Sequence, residues 1–218
     1  MAVLLVLATF FVFLVIDWFL NRNKKVPVRQ ETLQPKVATL LSSASVEGIL
    51  VPDQMRYHAG HTWCMQERPQ LVRVGADALA VYVTGPLDRV ELPKPGRWLR
   101  QGQKGWSVYR GEEKIDMLSP AEGEVLEINP EVVKNPELLT KDPYGKGWLM
   151  KVSVPDPQST DRNLLPSSLV RTWMKEAVRS VRARQGALGN VMTAGGQTIT
   201  ATVDASVRPA VLKDVFLT

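Results

Sequence analysis

Apolar positions along the chain fall into three different patterns. Residues 2–20 are apolar except for Asp17. Between Tyr57 and Val154, short runs alternate apolar and polar residues and are separated by Gly and Pro. This pattern predicts many short β-strands in a mainly β fold, a small barrel or sandwich. From about 168 to 185 the apolar residues recur every three or four positions, which predicts an amphipathic helix in a C-terminal region 155–218.

The first apolar segment has the length of a membrane span. A helix over residues 2–20 would be about 28 Å long, close to the ~30 Å hydrocarbon thickness of a bilayer. Nothing basic precedes the run, whereas cations follow it, which favours a retained anchor over a cleaved secretory signal. We therefore predict a transmembrane helix at 1–21 and a linker at 22–50. The anchor residues include Val3, Phe10, Phe11, Phe13, Asp17 and Trp18.

The charges after this segment predict its orientation. Basic residues cluster on the cytoplasmic side of membrane spans. We therefore expect the inner (plasma) membrane as the location, with a short N-terminus outside and the main domain in the cytoplasm. Asp17 lies near the span's end, where it can reach the headgroups, although a functional intramembrane carboxylate stays open. The topology charges are Arg22, Lys24, Lys25 and Arg29.

Composition narrows the possible functions. The chain has 218 residues and a formal net charge of +5, and its single cysteine excludes an intramolecular disulfide framework or a multi-cysteine metal site. Much of the positive charge lies behind the apolar segment and on the late helix, so nucleic acid is not an expected partner. That helix face could be solvated, contact anionic lipid or dock a partner subunit. Its cations are Arg171, Lys175, Arg179, Arg182 and Arg184.

The candidate metal and catalytic residues are sparse. His58, His61 and Cys64 have a spacing that could suggest a metal site, but a structural role is the better interpretation because the chain holds only two histidines. The glycines lack the spacing of a phosphate-binding loop. We predict no catalytic residues, no metal and a chain that is not an enzyme.

Several ordered motifs within residues 51–154 carry a family resemblance. They are Tyr57–Trp63, Val72–Gly75, Val90–Pro93, Ser119–Val125, Asn135–Leu138 and Asp142–Leu149. In this order and spacing they resemble the H protein of the glycine cleavage system. The resemblance implies a lipoyl-type sandwich of two small antiparallel sheets. It also implies a shuttle that carries an aminomethyl group on a lipoyl-lysine arm between decarboxylase, aminomethyltransferase and dihydrolipoyl dehydrogenase partners.

One position departs from the family pattern. In the family, six residues separate the lipoyl lysine from the Ser-Pro of the next strand, and this spacing leads from Ser119 back to Glu112. A carboxylate cannot form the lipoyl amide. The nearest lysine is Lys114, which on a strand lies about 6.5 Å from the tip.

Two functions stay open. The first is a membrane-anchored, non-catalytic structural or docking subunit of a membrane-associated complex, without a cofactor. The second is a lipoyl carrier of the glycine cleavage type, modified on Lys114.

Overall fold

The computed structural model describes residues 45–188 together with Arg208, Val211 and Leu212. Two compact units are distinguished, residues 1–35 and 36–218, and the described residues all belong to the second. The predicted anchor at 1–21, its topology charges and most of the predicted linker lie outside the described residues. Among the residues that are described, no helix is both long and apolar enough to cross a bilayer.

The described residues form eleven strands and five helices. The strands are β1 (Ser45–Val46), β2 (Ile49–Leu50), β3 (Arg56–His58), β4 (Thr62–Arg68), β5 (Leu71–Ala76), β6 (Arg89–Glu91), β7 (Trp98–Leu99), β8 (Lys104–Arg110), β9 (Glu113–Leu118), β10 (Gly123–Ile128) and β11 (Met150–Ser153). The helices are α1 (Ala78–Thr84), α2 (Pro130–Lys134), α3 (Glu137–Lys141), α4 (Pro157–Arg162) and α5 (Ser167–Leu188).

Two antiparallel sheets account for most of the strands. The larger sheet has the order β3-β4-β5-β11-β10-β7, the smaller has the order β6-β8-β9, and β1 and β2 form a separate hairpin. Buried side chains of both sheets, among them Val74, Val152, Trp106 and Ile115, belong to one hydrophobic core. The expected mainly β fold with antiparallel sheets is confirmed. The larger sheet, with six strands, is bigger than either of the two small sheets that the resemblance implied.

Helices α1 and α4 lie where the sequence analysis predicted no helix. Asp77 caps α1, since its Oδ1 accepts a hydrogen bond from the backbone N–H of Ala80 at 2.8 Å. The valines and the tyrosine of α1 favour strands by intrinsic propensity. A helix forms nevertheless, because one face of it is buried and because Asp77 caps its first turn. Asp156 caps α4 in the same way, at the start of the predicted C-terminal region 155–218.

Helix α5 lies against the β-domain. It spans Ser167–Leu188, slightly longer than the predicted 168–185, and buries one face. Next to it, the β1–β2 hairpin occupies residues that we placed in the linker at 22–50, and it buries Ile49. Glu47 of this hairpin accepts a hydrogen bond from Arg182 of α5 at 3.0 Å. The buried face of α5 consists of Val170, Met174, Val178 and Val181.

Candidate functional site

The β8–β9 hairpin ends in a two-residue turn. Arg110 is paired with Glu113, which leaves only Gly111 and Glu112 between the strands. Gly111 has φ +56°, a conformation that glycine adopts without strain and that such turns favour at their first position. The backbone N–H of Gly111 donates to the carboxylate of Asp88 at 2.5 Å. Glu112 therefore lies exposed at the tip of the hairpin.

Lys114 lies two residues after Glu112, on strand β9 rather than on the turn. It pairs with Tyr109 across the hairpin, and its side chain is 46% exposed. Because its neighbour Ile115 is buried, Lys114 points to the outer face of the three-stranded sheet. Its Nζ is 3.9 Å from Asp116 Oδ1 and 5.9 Å from the centre of the Tyr109 ring. Solvent therefore reaches the amine from the open face of the sheet.

Asp116 is held mainly by two residues other than Lys114. Ser107 Oγ donates to Asp116 Oδ1 at 2.7 Å, and Lys104 Nζ is 2.8 Å from Asp116 Oδ2. Burial on its own would raise the pKa of Asp116, but the hydrogen bonds from Lys104 and Ser107 outweigh it and lower that pKa. The hydrogen bond to Asp116 raises the pKa of Lys104. The closest acid to Lys114 is thus already engaged.

A second set of polar side chains lies on the neighbouring part of the same sheet face. The Tyr109 hydroxyl donates to Glu91 Oε2 at 2.5 Å, and the Arg89 guanidinium lies 3.7 Å from the centre of the tyrosine ring. The hydrogen bond from Tyr109 lowers the pKa of Glu91, and the same bond raises the pKa of Tyr109. The outer face of the three-stranded sheet therefore carries both signs of charge around Lys114.

The structure does not assemble His58, His61 and Cys64 into a site. His61 Nδ1 lies 2.8 Å from Asp77 Oδ2, and its ring stacks on Trp173 of α5 with centroids 4.4 Å apart. Burial raises the pKa of the Cys64 thiol to about 12, so the thiolate is not formed at neutral pH. His58 accepts a hydrogen bond from the Gly60 N–H. In the part of the chain that the structure describes, no cluster of three His, Cys, Asp or Glu could hold a metal.

The sequence analysis missed two residues that hold His61 in place. The signal that could have found Asp77 is a polar residue directly before the apolar run 78–83, the pattern of a helix cap, although the sequence analysis predicted no helix there. Trp173 lies within the predicted amphipathic helix at about 168–185, but nothing in the sequence pairs it with a histidine more than a hundred positions earlier.

The residues at the tip can be tested against the lipoyl group that the resemblance implies. The tip residue Glu112 does not fit, because its carboxylate offers no amine for an amide bond. Lys114 does fit, because it is a half-exposed primary amine on the same hairpin. A lipoyl amide there would supply a redox-active dithiolane at the end of a flexible arm.

Comparison with known proteins gives a consistent set of matches. The family model for the glycine cleavage H-protein matches residues 55–177. A probable glycine cleavage system H protein 2 from Sulfurisphaera tokodaii is 31% identical over 63% of this chain and 94% of that protein. A glycine cleavage system H protein from Symbiobacterium thermophilum is 34% identical over 58% of this chain and 97% of its own length. A solved H-protein structure from Mycobacterium marinum is 29% identical, with a TM-score of 0.47 over 58% of this chain and 98% of that one.

Proposed function

The chain belongs to the glycine cleavage H-protein family, and on this premise we propose that it is a non-catalytic carrier of that type. In this proposal the carrier amine is Lys114 and the cargo is the aminomethyl group, carried on a lipoyl arm. The partners are the other proteins of a glycine-cleavage-type assembly. Family membership supports the carrier role, and the chemistry of amide formation restricts the arm to a lysine.

The observation that carries the proposal is the environment of Lys114. Its amine lies on an open sheet face, 46% exposed, on the hairpin that presents the arm in the resembled family. Its nearest acid is committed to Lys104 and Ser107. An exposed and weakly held lysine can lose its proton, and its amine can then be acylated without disrupting buried structure.

Glu112 favours a second candidate function. With a carboxylate at the tip, the chain would have no arm. It would then be a docking subunit that binds partner proteins through the same hairpin. In both candidates we propose that residues 1–21 anchor the chain in the inner membrane and that the folded unit faces the cytoplasm. The apolar run at 2–20 and the cations that follow it support this part.

Peptide mass mapping of residues 102–122 separates the two candidates. The full chain is purified from its own cells, from a culture whose other lipoyl domains are loaded. The carrier proposal expects a lipoyl amide on Lys114 and none on Lys104, the other lysine of the hairpin. An unmodified Lys114 in those cells would refute the carrier role and leave the docking subunit.

Two variants sharpen the test. Lys114→Arg keeps the charge but cannot be acylated, so it should abolish the modification. Adding Glu112→Lys to that variant places a lysine at the tip and should restore modification there. If the double variant is modified and the native chain is not, the ligase recognises the hairpin. The position of the lysine then determines whether the chain is modified.

A further inference from the structure

Strand β9 lies at one edge of the three-stranded sheet, whose order is β6-β8-β9. The backbone N–H of Asp88 donates to the carbonyl oxygen of Tyr109 at 2.9 Å, so the backbone groups of Tyr109 are directed toward β6. Tyr109 and Lys114 are therefore a non-hydrogen-bonded pair of β8 and β9. It follows that the N–H and C=O of Lys114 point away from β8, toward the free edge of the sheet.

Asp116 repeats this arrangement two residues along the strand. It pairs with Ser107, whose backbone also faces β6, because hydrogen-bonded and non-hydrogen-bonded pairs alternate along antiparallel strands. Among the residues that the structure describes, no backbone hydrogen bond reaches Lys114 or Asp116 from a segment other than β8. The edge of β9 thus presents backbone donors and acceptors with which a further strand can pair.

The side chains of the same two residues carry opposite charges on the outer face of the sheet. Lys114 and Asp116 are 46% and 37% exposed, whereas Ile115 between them is buried. If β9 of a second copy lies antiparallel along this edge, with Ile115 opposite Ile115, then Lys114 of each copy lies opposite Asp116 of the other. Each of these two pairs can exchange two backbone hydrogen bonds, and the side chains across each pair attract each other.

The neighbouring registers are unfavourable. A shift of two residues in one direction brings Lys114 opposite Lys114, and a shift in the other direction brings Asp116 opposite Asp116. Like charges directly opposite destabilise a strand pair. A shift of one residue sets the outward backbone groups of one strand against the inward groups of the other. Charged residues on an edge strand usually prevent pairing, but on β9 they leave one antiparallel register open.

We propose that β9 pairs with β9 of a second copy of this chain, so that the two three-stranded sheets form one continuous sheet. The ammonium of Lys114 can take part, because its Nζ is 3.9 Å from Asp116 Oδ1, beyond hydrogen-bond distance. The Asp116 carboxylate accepts from Ser107 and Lys104, and since its two oxygens provide about four acceptor sites it can accept a further hydrogen bond. One short strand edge buries little surface, so the association is weak and depends on concentration. The proposal goes beyond the carrier function and does not rest on it.

The test is sedimentation equilibrium of the full chain in detergent micelles whose density is matched by the buffer. The chain is unmodified on Lys114, which peptide mass mapping verifies, so the outcome is independent of the carrier proposal. We expect a monomer–dimer equilibrium. Lys114→Glu, a change at an exposed residue, should raise the dissociation constant about tenfold, because two pairs of opposite charges become two pairs of like charges.

Arg89→Glu is the matched control. It makes the same charge reversal in the same sheet, but on β6 at the opposite edge, and should change the dissociation constant by less than about twofold. A chain that stays monomeric at every concentration would overturn the proposal. So would a dimer that Lys114→Glu does not weaken, or one that Arg89→Glu weakens equally.

A mixture of two variants tests the register. Asp116→Lys places lysines opposite each other and should also weaken self-association. Mixed with Lys114→Glu, it should form a heterodimer about as tight as the native dimer, because every pair across the edge again joins unlike charges. Two folded variants that do not associate would refute this register. Because Asp116 also holds Lys104 and Ser107, the result for Lys114→Glu decides the proposal if Asp116→Lys does not fold.

Discussion

The packing of α5 on the β-domain predicts a large effect for one methionine. Met174 is fully buried on the inner face of the helix. Met174→Ala removes Cγ, Sδ and Cε, and about 0.8 kcal/mol for each methylene-sized group gives about 2.4 kcal/mol. The cavity left behind brings the expected loss of unfolding free energy to about 2–5 kcal/mol. For a unit of this size the melting temperature should fall by roughly 5–20 °C.

The measurement is urea and thermal unfolding of the full chain in detergent micelles, followed by tryptophan fluorescence. Leu169→Ala is the matched control, because Leu169 lies on the same helix but is 54% exposed. Its effect should stay within about 0.5 kcal/mol. If Met174→Ala is no more destabilising than Leu169→Ala, α5 is not docked on the core and the argument for one folded unit fails.

Two further variants and one labelling experiment test particular contacts. Tyr109→Phe removes the hydrogen bond to Glu91, so the pKa of Glu91 should rise toward its ordinary value in a carbon-13 NMR titration. Gly75→Ala places a Cβ 2.6 Å from the Trp63 ring, so unfolding should become easier by about 1–3 kcal/mol in a urea titration. Cys64 should stay unreactive toward a disulfide reagent at pH 8 until the protein unfolds, because burial raises its thiol pKa to about 12.

The hydrogen bond between Tyr109 and Glu91 also makes the stability of the fold depend on pH. The lowered pKa of Glu91 means that its hydrogen bond stabilises the fold above the carboxyl's unfolded pKa of about 4.3, and that this contribution is lost as pH falls through the folded value. An unchanged Glu91 titration in Tyr109→Phe would contradict the assigned bond. Labelling of native Cys64 at pH 8 would contradict its burial, and a fully stable Gly75→Ala would contradict the Trp63 packing.

Local sequence signals were sufficient for the hairpin but not for α1. Once Gly111 and Glu112 are recognised as the turn, the register follows, and Tyr109 must face Lys114 while Ser107 faces Asp116. These pairs were therefore accessible from the sequence. In α1, strand-favouring residues compete with a cap that consists of a single hydrogen bond, which Asp77 accepts from the backbone N–H of Ala80. Local propensity therefore predicts the wrong element.

Contacts between distant segments were beyond sequence reasoning. The stack of His61 on Trp173 and the bond from Arg182 to Glu47 both depend on how α5 is placed against the sheet. The apolar stripe of the helix predicts that it is buried on one side, but many placements satisfy the same stripe. Only packing with the complete core selects one of them.

The position of the amine has a consequence for how a partner would approach. A lysine at position 112 would extend from the tip, along the axis of the hairpin. Lys114 instead leaves the face of the sheet, about 6.5 Å behind the tip. A partner that reaches an arm on Lys114 must therefore contact the sheet face, where Arg89, Glu91 and Asp116 lie. Charge reversal at Arg89 should then slow transfer from a carrier, whereas a subunit that docks through the exposed Glu112 should be affected by changes at the tip. The same hairpin thus supports two modes of binding, and the face that partners contact distinguishes them.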